Sequence, residues 1–225
     1  MNFRVICTSL LMTSSITVAH AADSELGTEK QQFSYAVGVQ IGQDLKQNGL
    51  NIEAGSVAKA IADVLADKPL QLTVPEMQTL FADYQKREAA KKEMAGSANQ
   101  AEGAKFLAEN KSKQGVTELP SGLQYKVITA GTGKQPTAED TVSVHYRGTL
   151  INGTEFDSSH KRGEPATFSV GGVIKGWVEA LQLMKEGAKW QLFIPSELAY
   201  GPSGAGSGIG PNATLIFDVE LLKVK

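Results

Sequence analysis

The sequence predicts an α+β protein in two parts, a helical N-terminal part and a C-terminal antiparallel sheet that covers a short helix. Three observations predict it. Apolar residues recur about every four positions before residue 116 and every second position after it. No proline interrupts the chain between Pro75 and Pro120. In the second half, four alternating segments enclose one stretch with helical spacing.

The first residues read as a leader rather than as fold. Arg4 is the only charge before Asp23, the runs VICTSLLM and SSITVA follow it, and AHA ends at Ala21. A charged start, an apolar run and a small-x-small site describe a secretory signal over residues 1–21, cut after Ala21. The run is short and broken by Thr and Ser, which argues against a membrane span; an uncleaved anchor is the alternative. Cys7 is the only cysteine of the 225-residue chain. The exported chain would therefore hold itself by its core or by association, without disulfides. Net charge is −2, with 41% hydrophobic and 20% charged residues. That balance suits a packed core and gives no sign of a nucleic-acid partner.

Residues 22–72 are read as a helical dimerisation domain. Phe33, Val37, Ile41 and Leu45 form one stripe that ends at Asn48-Gly49. Val57, Ile61, Val64 and Leu65 form a second, with Pro69 as its stop. Two short helices make too small a core alone, so a second copy is expected to share it. Gly38 and Gly42 would let the two first helices approach closely. Residues 73–116 are read as a long connecting helix that opens on the capping box Thr73–Glu76 and runs to about Gln114. Glu88–Lys92 and Glu109–Lys113 are its expected surface ion pairs. Few large apolar residues lie between Glu88 and Lys105, so this part is expected to be a solvated spacer, bent or weakened by Gly96 and Gly103.

Residues 117–225 are read as the sheet domain. Leu123, Tyr125 and Val127 alternate, as do Val142, Val144 and Tyr146. So do Trp190, Leu192 and Ile194, and then Leu215, Phe217, Val219 and Leu221. Each set gives one apolar face. Trp177, Ala180, Leu181 and Met184 are spaced for a covering helix. Because all candidate pocket residues lie here, a fragment from Thr117 is expected to fold and work alone.

The chemistry is narrowed by exclusion. The loop AYGPSGAGSGIGPN, residues 199–212, matches neither phosphate-binding glycine motif and precedes a strand instead of a helix. No nucleophile elbow is present. His145 and His160 follow no metal-ligand spacing, and His145 is read as sheet surface or a structural bond. What remains is aromatic: Tyr146, Phe156, Phe168, Trp177, Tyr200 and Phe217, with Asp157 beside Phe156. Such a set lines an apolar pocket or is simply core.

The runs VHYRGTLINGTEFDSS, VIKGWVEAL, ELAYG and ATLIFDVELLKV resemble the FKBP-type peptidyl-prolyl isomerase domain over residues 117–225. Residues 22–116 resemble the dimerisation arm of the Mip branch of that family. The resemblance implies a half-barrel sheet wrapped on the short helix. It implies Trp177 as a pocket floor, with Tyr146, Phe156, Val173, Ile174, Tyr200, Phe217 and Ile209 as walls. Asp157 and the Tyr200 hydroxyl become polar handles, the Ile174 amide a donor to a ligand carbonyl, and Arg162 the orienter of Asp157. Ala166 stands where compact members carry a bulky aromatic residue. The glycine loop becomes a roof over the pocket. The implied activity is cis-trans isomerisation of X-Pro bonds by a homodimer that assists folding in the periplasm, free or attached to the outer membrane or cell surface. No cofactor or metal is implied. Proline-containing polypeptides are the implied partners, and macrolides such as tacrolimus and rapamycin the implied ligands. A non-catalytic chaperone that uses the same fold and arm cleft is the alternative.

Overall fold

The computed structural model describes residues 26–225. The expected leader and Cys7 lie outside the described residues. The chain forms two compact units, one ending at Asn51 and one running Ile52–Lys225.

The first unit contains helix α1, Glu29–Gln47. Thr28 caps its start, with its hydroxyl on the Gln31 N–H and the Gln31 side chain on the Thr28 N–H. Asn48 caps its end, and Gly49 follows at φ +65°. None of its residues is buried; Phe33 is 71% exposed, and Val37 and Ile41 are exposed as well.

The second unit opens with α2, Ala54–Leu65, capped by the Glu53 carboxylate. This helix stops earlier than Pro69 requires, because Asp67 turns the chain at φ +50°. Helix α3, Val74–Asn110, starts at the expected capping box and ends four residues short of Gln114. Its 37 residues span about 55 Å at 1.5 Å per residue. The surface ion pair is Glu88–Lys91 at 2.7 Å, at i,i+3, instead of Glu88–Lys92 at i,i+4. Lys113 lies past the helix end and sits 5.5 Å from the Phe106 ring centroid, so Glu109–Lys113 has no helical register to form in.

The sheet has seven strands, all antiparallel. They are β1 Val116–Glu118, β2 Gln124–Thr129, β3 Thr141–Leu150, β4 Glu155–Ser158, β5 Ala166–Ser169, β6 Lys189–Ile194 and β7 Leu215–Val224. The order is β1-β2-β6-β7-β3-β4, with β5 on the end of β3. Short helices α4, Ser159–Arg162, and α5, Lys175–Leu181, interrupt it. On β3 and β7 the predicted alternation holds: Val142, Val144 and Tyr146 are buried, as are Leu215, Phe217, Val219 and Leu221. Trp177, Ala180, Leu181 and Met184 press from α5 and its exit onto that face and complete one core.

Two features depart from the alternation. Val127 is 43% exposed, because β1 pairs only with residues 124–126 and leaves the end of β2 open. Gln124 and Phe193, on the face expected to meet water, are buried. The C-terminal half of α3 covers them. Phe106 packs on Phe193 with centroids 6.0 Å apart, Asn110 donates to Gln124 at 3.0 Å, and Gln124 donates to the Leu107 carbonyl at 2.9 Å. Gly96, Gly103 and Asn110 are buried along the same side. This stretch is therefore a docked helix and not a solvated spacer. Its glycines mark close approach: a Cβ on Gly103 would overlap the Thr214 hydroxyl and sit 3.2 Å from Thr214 Cβ.

Candidate active site

Between the sheet and α5 lies a cavity of about 640 Å³. Of the ten residues singled out from the sequence, Tyr146, Phe156, Asp157, Val173, Ile174, Trp177, Tyr200, Ile209 and Phe217 line it. Arg162 stands just outside and reaches in through its hydrogen bonds. Phe168, read from the sequence as pocket lining or core, also lines it, together with Gly172, Ala205, Gly206 and Gly208.

Trp177 enters from the first turn of α5 and is 4% exposed. Three rings meet it edge-on: Tyr146 at 5.4 Å, Phe168 at 5.9 Å and Phe217 at 5.2 Å between centroids. Its indole N–H has no hydrogen-bond partner among the described residues, so packing alone fixes the ring. Phe156 on β4 meets Phe217 at 5.5 Å and 83°. Gly148 on β3 makes that contact possible, because a Cβ there would stand 2.6 Å from the Phe156 ring and 2.8 Å from Phe217. Phe168 supplies the ring on the side where Ala166 lacks one. The two residues share a face of β5, and Ala166 packs on the core without lining the cavity.

The polar edge is a closed triangle. The Tyr146 hydroxyl donates to Asp157, and Arg162 donates to the other Asp157 oxygen at 2.6 Å and to the Tyr146 oxygen at 2.9 Å. The guanidinium also lies 5.4 Å from the Tyr146 ring centroid. Burial pushes the Asp157 carboxyl up, but hydrogen bonds from Tyr146 and Arg162, the Arg162 charge and the Ser158 N–H outweigh it and hold it below the ordinary value. Burial, with the bond to Asp157, raises the Tyr146 hydroxyl above its ordinary value. Both groups thus keep their neutral-pH forms, an acceptor carboxylate and a donor phenol.

Ser159 holds this edge from behind. It is fully buried; its hydroxyl accepts from the Tyr146 N–H at 2.8 Å, lies 3.2 Å from the Tyr146 carbonyl and meets His145 Nδ1 at 3.0 Å. His145 therefore makes a structural bond, and its ring stacks on His160 at 4.6 Å. Among the described residues, no group of three or more His, Cys, Asp or Glu is placed to hold a metal ion.

The glycine loop roofs the cavity. Gly201, Gly204 and Gly206 take positive φ, which L residues adopt at a cost, and Ala205 and Ile209 pair across the tip at 2.9 and 3.1 Å. The Asn212 N–H closes the base on the Gly201 carbonyl at 2.8 Å. The residues that line the cavity include no Ser, Thr, Cys, Lys or His. The arrangement offers an aromatic wall and a hydrogen-bonding rim around a cavity of about 640 Å³.

Comparison with known proteins matches two family descriptions. Residues 132–222 match "FKBP-type peptidyl-prolyl cis-trans isomerase" and residues 30–127 match "Domain amino terminal to FKBP-type peptidyl-prolyl isomerase". The Legionella longbeachae "Outer membrane protein MIP" is 44% identical over 100% of this chain and 99% of its own length. The Coxiella burnetii "Peptidyl-prolyl cis-trans isomerase Mip" is 44% identical over 93% of this chain and 92% of its own length. The crystal structure of FkpA from Escherichia coli aligns at a TM-score of 0.62 with 38% identity, covering 89% of this chain and 98% of that one.

Proposed function

The chain belongs to the FKBP-type peptidyl-prolyl cis-trans isomerase family and is a prolyl isomerase, and we propose that the aromatic cavity is where the X-Pro bond turns and that the exported protein works as a homodimer. The single observation that carries the first claim is the Trp177 floor, ringed edge-on by Tyr146, Phe168 and Phe217 in a cavity large enough for a prolyl ring.

The uncatalysed rotation faces about 18–20 kcal/mol, because resonance gives the C–N bond partial double-bond character. Twisting that bond removes the resonance and leaves the carbonyl less polarised. An apolar wall favours this state over the planar one, and only such a difference accelerates the step. Each 1.4 kcal/mol or so gained this way is about a tenfold rate. In this reading Trp177, Phe156 and Phe217 enclose the prolyl ring. The Ile174 amide holds a neighbouring carbonyl, and the Tyr146–Asp157–Arg162 triangle and the Tyr200 hydroxyl steer the twisted one. Macrolides such as tacrolimus and rapamycin would occupy the same cavity.

Dimerisation rests on α1, none of whose residues is buried within the chain. A Cβ on Gly38 or Gly42 would meet nothing within 4 Å, so that face is open to a second copy. The bounds carried from the sequence, an arm over residues 22–72, a connector over 73–116 and an isomerase domain over 117–225, are part of the proposal. So are export to the periplasm through the leader and assistance to folding of proline-containing polypeptides. No helix among the described residues is long and apolar enough to cross a membrane.

The test is a proline-isomerisation assay on the chain from Ala22, with and without a macrolide. Activity that the macrolide abolishes supports the reading. An inactive chain that still suppresses aggregation of an unfolded client would favour a non-catalytic chaperone.

A further inference from the structure

We propose that the C-terminal half of α3 is part of the isomerase site, and that Asn99 is a positioning residue for the roof of the cavity. The inference rests on the reading that the aromatic cavity is where isomerisation occurs.

The roof contributes Ala205, Gly206, Gly208 and Ile209 to the cavity lining. The two side-chain hydrogen bonds that hold loop 201–214 both run to α3. Asn99 Nδ2 donates to the Pro211 carbonyl at 2.8 Å, and Asn212 Nδ2 donates to the Gly96 carbonyl at 3.4 Å. Asn212 sits at φ +54° and also closes the loop base through its own N–H to Gly201. One residue thus ties the loop to itself and to the helix.

Packing fits the same register. Gly96, Asn99 and Gly103 fall at i, i+3 and i+7, one face of α3. A Cβ on Gly96 would lie 3.4 Å from Pro211 Cβ, and one on Gly210 would lie 3.0 Å from Asn99 Nδ2. A Cβ on Gly103 would displace Thr214. The helix and the loop therefore approach to backbone distance on both sides, and a larger residue on either would lift the roof. Phe106 and Asn110 continue the face onto the sheet and fix the height of the helix. A peptide in the cavity pushes the roof outward, and the bond from Asn99 to Pro211 resists that push. It acts on ground and transition states alike, so its loss appears in KM more than in kcat.

The test compares the chain from Ala22 with Asn99→Asp, which keeps the shape and removes the donor. Asn99→Ala serves as a second variant, and Gln100→Glu adds the same charge at the exposed neighbouring position. The readouts are kcat and KM for a short proline peptide, the tacrolimus Kd, and Tm. We expect KM and Kd to rise about two- to tenfold in both Asn99 variants, the effect of one neutral hydrogen bond, with kcat nearly kept and Gln100→Glu unchanged. Gly103→Val should act in the same direction. Unchanged KM and Kd in the Asn99 variants, or a change confined to Tm, would overturn the inference. A wild-type chain without activity would instead overturn the reading of the cavity itself.

Discussion

Phe106 on α3 stacks obliquely on Phe193 of β6, with centroids 6.0 Å apart and planes at 49°. Phe193 is the one buried ring on the outer side of its strand, and Phe106 is what buries it. The sheet domain is therefore completed by a helix that precedes it in sequence.

This changes where the domain can be cut. A fragment from Thr117 would expose Phe193 and strip Gln124 of its bonds from Asn110 and to Leu107. A fragment from Ala90 keeps the whole docked face. The Ala90 fragment should unfold at clearly higher urea concentration than the Thr117 fragment, and Phe106→Ala in the full chain should cost about 1–2 kcal/mol, less than the 3–5 of a fully buried ring. Equal midpoints for the two fragments would show that the helix contact adds nothing.

Trp177 and Asp157 make opposite kinds of contribution, a ring held by packing and an exposed-edge carboxylate. Trp177→Ala should lower kcat/KM by more than about tenfold, and Asp157→Ala by only a few-fold, the scale of one polar interaction. Circular dichroism on both variants excludes misfolding as the cause. A larger loss for Asp157→Ala would point to a polar mechanism.

The pH response follows from the same triangle. Asp157 is held below its ordinary value near 3.8, so its share of stability is present above that value and lost as pH falls through the lowered one. Tyr146 is raised above 10.0, so its share is present below that value and lost as pH rises through the raised one. Isomerase activity should therefore show no step from either group between about pH 5 and 9. An activity step in that range that Asp157→Asn or Tyr146→Phe removes would contradict the assignment.

The open face of α1 yields a mass prediction. The chain from Ala22 should sediment as a dimer at micromolar concentration. Gly38→Leu should give a monomer that retains activity on a short peptide. A wild-type monomer would refute the dimer, and a dimeric Gly38→Leu would move the contact away from the glycine face.

Much of the site was legible because it is made of large residues at regular spacing. Period two on β3 and β7 put Tyr146 and Phe217 on the inner face, and helical spacing put Trp177 there too. The docking of α3 was not legible. Its contact face is Gly96, Asn99, Gly103, Phe106 and Asn110, mostly small or amide residues, which carry almost no hydrophobic signal although their spacing is helical. Gly148 and Ser159 escaped for a related reason, since one matters for the space it leaves and the other for bonds to backbone. Val127 was misplaced because strand alternation says nothing about where a neighbouring strand ends.

The most direct test of the central claim is a titration of the chain from Ala22 with tacrolimus, following isomerisation of a short proline peptide and tryptophan fluorescence together. The account predicts that activity falls to zero as the macrolide fills one site per chain, with the fluorescence change tracking the loss and absent in Trp177→Ala. Full activity at a macrolide concentration that saturates the fluorescence change would contradict it.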